Sequence, residues 1–173
     1  MFRKATMNDL DQLEELFDRV HTEEEAGRVS TGWIRGVYPT RKTVESAICA
    51  DDLFVAEADG KIVATGRINT IQMPEYAVVD WVDQVTDDQV MVLHMLAVLP
   101  EEQGKGYGPA FERFYEKYSI EQGRPYLRID TNEKNLRARA LYKRLGYRES
   151  GIVPCVFNGI DGVHLVCLEK RAE

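Results

Sequence analysis

Leu96-Ala97-Val98-Leu99-Pro100-Glu101-Glu102-Gln103-Gly104-Lys105-Gly106-Tyr107-Gly108-Pro109 carries an apolar run into a glycine-rich loop, and it decides what fold and site the chain can build. Val90 to Val98 reads as a buried strand. After the loop, Phe111, Phe114, Tyr115 and Tyr118 recur on one helical face, with Pro109 suited to a first-turn position. A strand that passes through glycines into a helix gathers unpaired backbone N–H groups at the positive end of a helix dipole, which favours an anion such as a phosphate. Two common phosphate loops do not fit. Gly-x-x-x-x-Gly-Lys-Ser/Thr is absent, and a dinucleotide fingerprint starting at Gly104 and Gly106 would need glycine where Pro109 stands.

Outward from this stretch the pattern alternates between strand and helix. Tyr126 to Asp130 is a short strand, Asn135 to Leu145 a helix closed by Gly146, and two final strands flank Asn158-Gly159 and Asp161-Gly162. Upstream, Leu53 to Ala56 and Lys61 to Ala64 form a hairpin around Asp59-Gly60. Thr6 with Asp9 resembles a capping box ahead of Leu10, Leu13, Leu16, Phe17 and Val20, which share a helical face ending near Glu23-Glu24-Glu25. A weaker helix has Val44, Ala47 and Ile48 on one side. Ser30 to Pro39 is too bulky for an inert linker, and Asn69 to Gln89 has no periodicity.

A chain of 173 residues fits one domain, residues 1–173, better than two. Its net charge of −7 argues against a nucleic-acid or anionic-membrane surface, since both need clustered Lys and Arg. Cys49, Cys155 and Cys167 are odd in number and widely spaced, which suits reduced thiols in a cytoplasmic protein, and no metal-ligand spacing appears. No long apolar run follows Met1-Phe2-Arg3-Lys4-Ala5-Thr6, so neither a signal peptide nor a membrane span is expected.

Gln-x-x-Gly-x-Gly at Gln103, Gly106 and Gly108, preceded by the strand through Val98, resembles the pyrophosphate loop of the GCN5-related N-acetyltransferase family. The segment Asn135-Leu136-Arg137-Ala138-Arg139-Ala140-Leu141-Tyr142-Lys143-Arg144-Leu145-Gly146-Tyr147 is similar to a second motif of that family, Asn-x-x-Ala-x-x-Leu-Tyr-x-x-x-Gly-aromatic. The likeness extends over nearly the whole chain and is most specific between residues 94 and 147. One departure is Gln103, where Arg is commoner. The resemblance implies an α/β fold with a mixed, mostly antiparallel central sheet flanked by about four helices.

It also implies acetyl-CoA as cofactor, held by Gln103, Gly104, Lys105, Gly106, Tyr107, Gly108, Pro109 and Asn135, with main-chain hydrogen bonds from Leu96, Ala97 and Val98. Tyr142 would bind the cofactor and protonate the departing thiolate. By themselves, Asn135 is equally a helix cap and Tyr142 a core aromatic. Seven residues separate them, about two helical turns, so both can line one face. A general base has two candidates. Leu93-His94-Met95-Leu96-Ala97-Val98 resembles the strand on which arylalkylamine N-acetyltransferases place a histidine that works through water, and the ordinary histidine pKa suits neutral pH. Asp130 matches a strand position where other members carry a carboxylate; its structural alternative is to cap the following helix.

The acceptor is less legible. Trp33, Arg35, Tyr38, Trp81 and Asp83 are candidate lining residues for a small-molecule or peptide amine, and the acidic runs could attract a cationic one. The alternative to an enzyme is a non-catalytic acyl-CoA-binding sensor or interaction module. A nucleotide-binding regulator would lack the lysine and hydroxyl of P-loop chemistry. An edge strand near the C-terminus could pair into a homodimer.

Overall fold

Asp59 and Gly60, and again Asn158 and Gly159, all take positive φ (50°, 76°, 48° and 85°), the backbone of two-residue hairpin turns. Each turn joins two strands. The computed structural model describes residues 1–172. Its strands are β1 (Phe2–Lys4), β2 (Leu53–Ala58), β3 (Lys61–Asn69), β4 (Val90–Val98), β5 (Tyr126–Asn132), β6 (Arg148–Phe157) and β7 (Ile160–Arg171). They form one sheet in the order β1-β2-β3-β4-β5-β7-β6, antiparallel except where β4 meets β5. Asp161-Gly162 is not a turn, contrary to expectation. The Asn158-Gly159 turn is complete without it, and both residues continue β7.

The helices are α1 (Leu10–Glu25), α2 (Arg41–Cys49), α3 (Tyr107–Glu121) and α4 (Leu136–Arg144). Thr6 N–H donates to Asp9 Oδ2 (2.7 Å), and Arg3 fixes the same carboxylate (2.8 Å), which sets the entry to α1. The apolar stripes of α1 and α2 pack on one face of the sheet against Leu53, Val55, Met95 and Ala97. Phe111 and Tyr115 of α3 pack on the other, against Met91, Leu93, Leu127 and Ile129. Each fully buried side chain of this size stabilises the fold by roughly 1.5–3 kcal/mol.

Between β3 and β4 the chain folds without regular periodicity because two aromatic anchors hold it. Tyr76 and Trp81 are buried edge to face (5.2 Å), Trp81 Nε1 donates to Tyr76 O (3.0 Å), and the Arg128 guanidinium lies 4.0 Å from the Trp81 ring.

The sheet is split at its centre. β4 and β5 pair only from Val90/Tyr126 to Leu93/Ile129; beyond that, Asp130–Asn132 pair with β7 alone. Tyr115 Oη bridges the two strands within this ladder, reaching Met91 O (2.6 Å) on β4 and Arg128 O (3.3 Å) on β5. Just past the ladder's end, β4 bulges. Arg67 faces His94 and Thr65 faces Ala97, so Gly66 alone opposes Met95 and Leu96, and Met95 takes φ 59°. The extra residue inverts the alternation along the strand. Leu93 points toward α3, whereas Met95 and Ala97 point toward α1.

Candidate active site

The bulge and the split leave one edge of β4 without a partner strand. Leu99 N–H donates to Val63 O (2.9 Å), and Thr65 pairs with Ala97, so alternation directs the N–H groups of Leu99 and Ala97 toward β3. The N–H groups of Leu96 and Val98 therefore point into the opening. Two cavities meet there, sharing Leu96, Tyr142, Asn135 and Trp33.

The first is a cleft of about 510 Å³ over the glycine loop. Gly104 and Gly106 take φ 83° and 91°, which only glycine adopts without strain, and Gly106 caps α3. Tyr107 and Gly108 occupy the first turn of α3, where N–H groups have no intrahelical acceptor, and Pro109 has no N–H to satisfy. Gln103, Gly104, Gly106, Tyr107, Gly108 and Pro109 all wall the cleft. Lys105 does not, and pairs with Glu102 (2.9 Å). Arg28, Lys134, Arg137 and Arg144 also line this cavity, and Arg137 Nη1 donates to Gln103 Oε1 (2.5 Å). The result is a concentration of donors and positive charge in a chain that is acidic overall.

The second cavity is narrow, about 80 Å³, and runs from Leu96 to Asp130 between Trp33, Tyr38 and Phe157. Tyr76 Oη donates to Asp130 Oδ2 (2.8 Å), so Asp130 does not cap α4. Asn135 does, accepting from Ala138 N–H (3.1 Å), while also lining both cavities. Burial pushes the Asp130 carboxyl up to about 6 against the opposing pull of Tyr76. Tyr142 is buried beside Tyr147 (5.7 Å between rings) and lines both cavities; burial and the Asp130 charge raise its hydroxyl well above the ordinary tyrosine value.

His94 stands apart from both. It lies before the bulge, on the α2 side of the sheet, where its Nε2–H donates to Asn69 Oδ1 (3.1 Å). Burial, and then the nearby Arg67, lower it to about 4. Among the expected acceptor residues, Trp33 and Tyr38 line the narrow cavity and three do not. Arg35 is held outside by Asp18 and Glu25, Trp81 is enclosed with Tyr76 and Arg128, and Asp83 pairs with Arg148 (2.8 Å).

The acidic run Glu23-Glu24-Glu25 has local work. Glu23 and Glu25 pair with Arg28 and Arg35, while Glu24 Oε2 accepts from Thr31 N–H (2.7 Å) and Thr31 Oγ1 (2.8 Å), fixing the loop that covers the opening. Gly32 of that loop lies so close to Asn132 that a Cβ would meet its Nδ2 at 2.4 Å. Tyr76 and Phe157 are contributors that sequence reasoning did not reach; Tyr115 and Glu24 were legible only as part of a helical face and of an acidic run, and Tyr76 only as an aromatic in a segment without periodicity.

Among the described residues no helix is long and apolar enough to cross a membrane, and no group of His, Cys, Asp and Glu could hold a metal ion. An uncharacterized N-acetyltransferase of Methanocaldococcus jannaschii is 27% identical over 103 residues, spanning 60% of this chain and 42% of that protein. The fold is shared with a GNAT-family acetyltransferase of Streptococcus agalactiae, at a TM-score of 0.84 and 24% identity over 100% of this chain and 95% of that one. It is also shared with the ribosomal-protein-S18-alanine N-acetyltransferase of Escherichia coli, at 0.68 and 18% over 100% and 94%. The model of the acetyltransferase (GNAT) family matches residues 11–147, covering both the glycine loop and the helix that carries Tyr142, and the chain belongs to that family.

Proposed function

We propose that the chain transfers an acetyl group from acetyl-CoA directly to a primary amine of a small molecule or peptide, in the opening between β4 and β5. The observation that carries this reading is the meeting of two unlike cavities at Leu96 and Tyr142: one rimmed by donors and cations, the other ending on a carboxylate. The residues fit the cofactor. Free N–H groups at Tyr107 and Gly108, with Arg28, Lys134, Arg137 and Arg144, suit its phosphates, and Asn135 and the β4 edge suit its amide-bearing arm. When bound, acetyl-CoA supplies the acyl group and the thiolate leaving group.

The rest falls to the chain. Leu96 and Val98 offer N–H donors on a strand edge that no other strand occupies, already oriented before any charge develops. Tyr142 keeps its proton at neutral pH and holds it at Oη where the cavities join, able to deliver it to a departing sulfur. Asp130, ionised above about pH 6, takes a proton from the acceptor ammonium through water. As the C–N bond forms and the C–S bond breaks, the nitrogen gives up a second proton, which replaces the one Tyr142 passes to sulfur, so each turnover releases one net proton, the one carried off by Asp130. Of the two base candidates Asp130 is preferred, because it lines the acceptor cavity and His94 does not.

The test is mass-spectrometric detection of acetylated product from acetyl-CoA across small amines, amino acids, polyamines and peptides, with Tyr142→Phe alongside. Transfer to one acceptor class, with turnover lowered and acetyl-CoA affinity kept in the variant, is expected. Unchanged turnover removes Tyr142 from the mechanism. Acetyl-CoA binding without transfer to any acceptor would favour the sensor reading.

A further inference from the structure

The two cavities have opposite electrostatic inventories. Four cationic side chains line the cofactor cleft, whereas the wall of the narrow cavity carries no Lys, Arg or His, and its one charged residue is Asp130. Three arginines around it are already paired, and Arg128 of β5 lies over Trp81. Arg67 of β3 pairs with Asp52 (2.8 Å), Arg139 of α4 pairs with Glu149 (2.7 Å), and Arg35 is drawn off by Asp18 and Glu25. His94 of β4 is lowered to about 4 and faces Asn69, while His164 of β7 is bound to Glu133 (2.7 Å). Glu75 adds further negative character, since its charge disfavours ionisation of Asp130 and its Oε2 is buried without a partner. The remaining wall is uncharged, with Thr31, Thr131, Asn132 and Asn135 among apolar and aromatic residues. Tyr38 meets Trp33 and Phe157 edge to face, at 6.0 and 5.4 Å.

From this, and resting on the acetyltransferase reading, we propose that the acceptor cavity selects a primary amine with no carboxylate beside it and a compact apolar body. The ammonium group faces Asp130 and the body lies against Tyr38 and Phe157. A free α-amino acid brings a second negative charge next to Asp130 with no cation to offset it. An uncharged neighbour such as an amide brings none, so size and charge can be varied separately.

Three acceptors of one side-chain shape make the test: 3-methylbutylamine, leucinamide and leucine, compared by kcat/KM with acetyl-CoA at pH 8, with a polyamine and a short peptide as further acceptors. The amine and the amide should exceed leucine by on the order of a hundredfold, the effect of a like charge about 6 Å from Asp130 at an effective dielectric near 20. Thr131→Arg, which places a cation on the same wall, should narrow the leucinamide-to-leucine ratio about tenfold. Leucine acetylated as well as leucinamide overturns the proposal while leaving the transferase reading intact. So does leucinamide as poor as leucine beside an active amine, which would show size rather than charge to decide. Transfer only to the polyamine or the peptide overturns it as well. Absence of transfer to every acceptor, together with absence of CoA binding, defeats the transferase reading from which it starts.

Discussion

Removing one oxygen atom, by Tyr76→Phe, should move the pH dependence of acetyl transfer without touching any group that contacts substrate. Tyr76 Oη donates to Asp130 Oδ2 at 2.8 Å, and the bond favours the ionised carboxylate. A hydrogen bond to a charged group contributes about 1.5–3 kcal/mol, of which the neutral acid keeps a part. At about 1.36 kcal/mol per unit, loss of the bond raises Asp130 from about 6 by roughly one to two units. For a rise of about one unit, the ionised fraction at pH 6 falls from roughly one half to roughly one eleventh, so kcat/KM should fall about fivefold there and recover fully by pH 9. The assay is initial-rate product formation from pH 5 to 9 with one amine, taken as the ratio of variant to parent so that the acceptor's own titration cancels. An acidic limb that stays in place would refute Asp130 as base. A uniform loss at all pH values would mean that Tyr76 acts through packing instead.

Three more outcomes follow from the same geometry. Asp130→Asn should abolish most transfer yet stabilise the protein: the folded carboxyl holds its proton up to about 6 against an ordinary 3.8, so stability is full below 3.8 and is lost as the pH rises through about 6. The variant should gain about 1–3 kcal/mol at pH 7.5, or several degrees in Tm, with the gain vanishing below about pH 4; a gain independent of pH would contradict this origin. His94→Gln should leave the acidic limb of the rate profile unmoved, because the ring at about 4 is already neutral where the enzyme works and lines neither cavity. Gly106→Val meets no neighbour within 4 Å but strains a φ of 91°, so it should cost about 1–2 kcal/mol of stability and weaken CoA binding about tenfold or more by calorimetry; an unaltered Kd would detach the loop from cofactor binding.

Much of the fold is legible because its cues are local. Glycine turns mark two hairpins, apolar stripes mark three of the four helices, and Asn135 both opens a motif and caps α4 through a bond spanning three residues. The site is less legible because its decisive contacts are distant. Tyr76 and Asp130 are 54 residues apart, and Tyr115 reaches carbonyls 24 and 13 residues away. His94 illustrates the limit. Its strand reads as one unbroken buried run, but the bulge at Met95 carries no glycine to announce it, and that bulge leaves His94 facing Asn69 while Leu96 enters the opening. The acidic run that ends α1 likewise looks available to a cationic substrate until the loop at residues 28–35 folds back onto it.

The most direct test is a crystal structure of the protein with CoA bound. The pyrophosphate should rest on the N–H groups of Tyr107 and Gly108, and the sulfur should lie in the opening between Leu96 and Tyr142, on the side of the narrow cavity that ends at Asp130. A pyrophosphate on that loop with the sulfur directed away from Tyr142, or CoA seated elsewhere on the sheet, would contradict the assignment of this split as the place where acetyl transfer occurs.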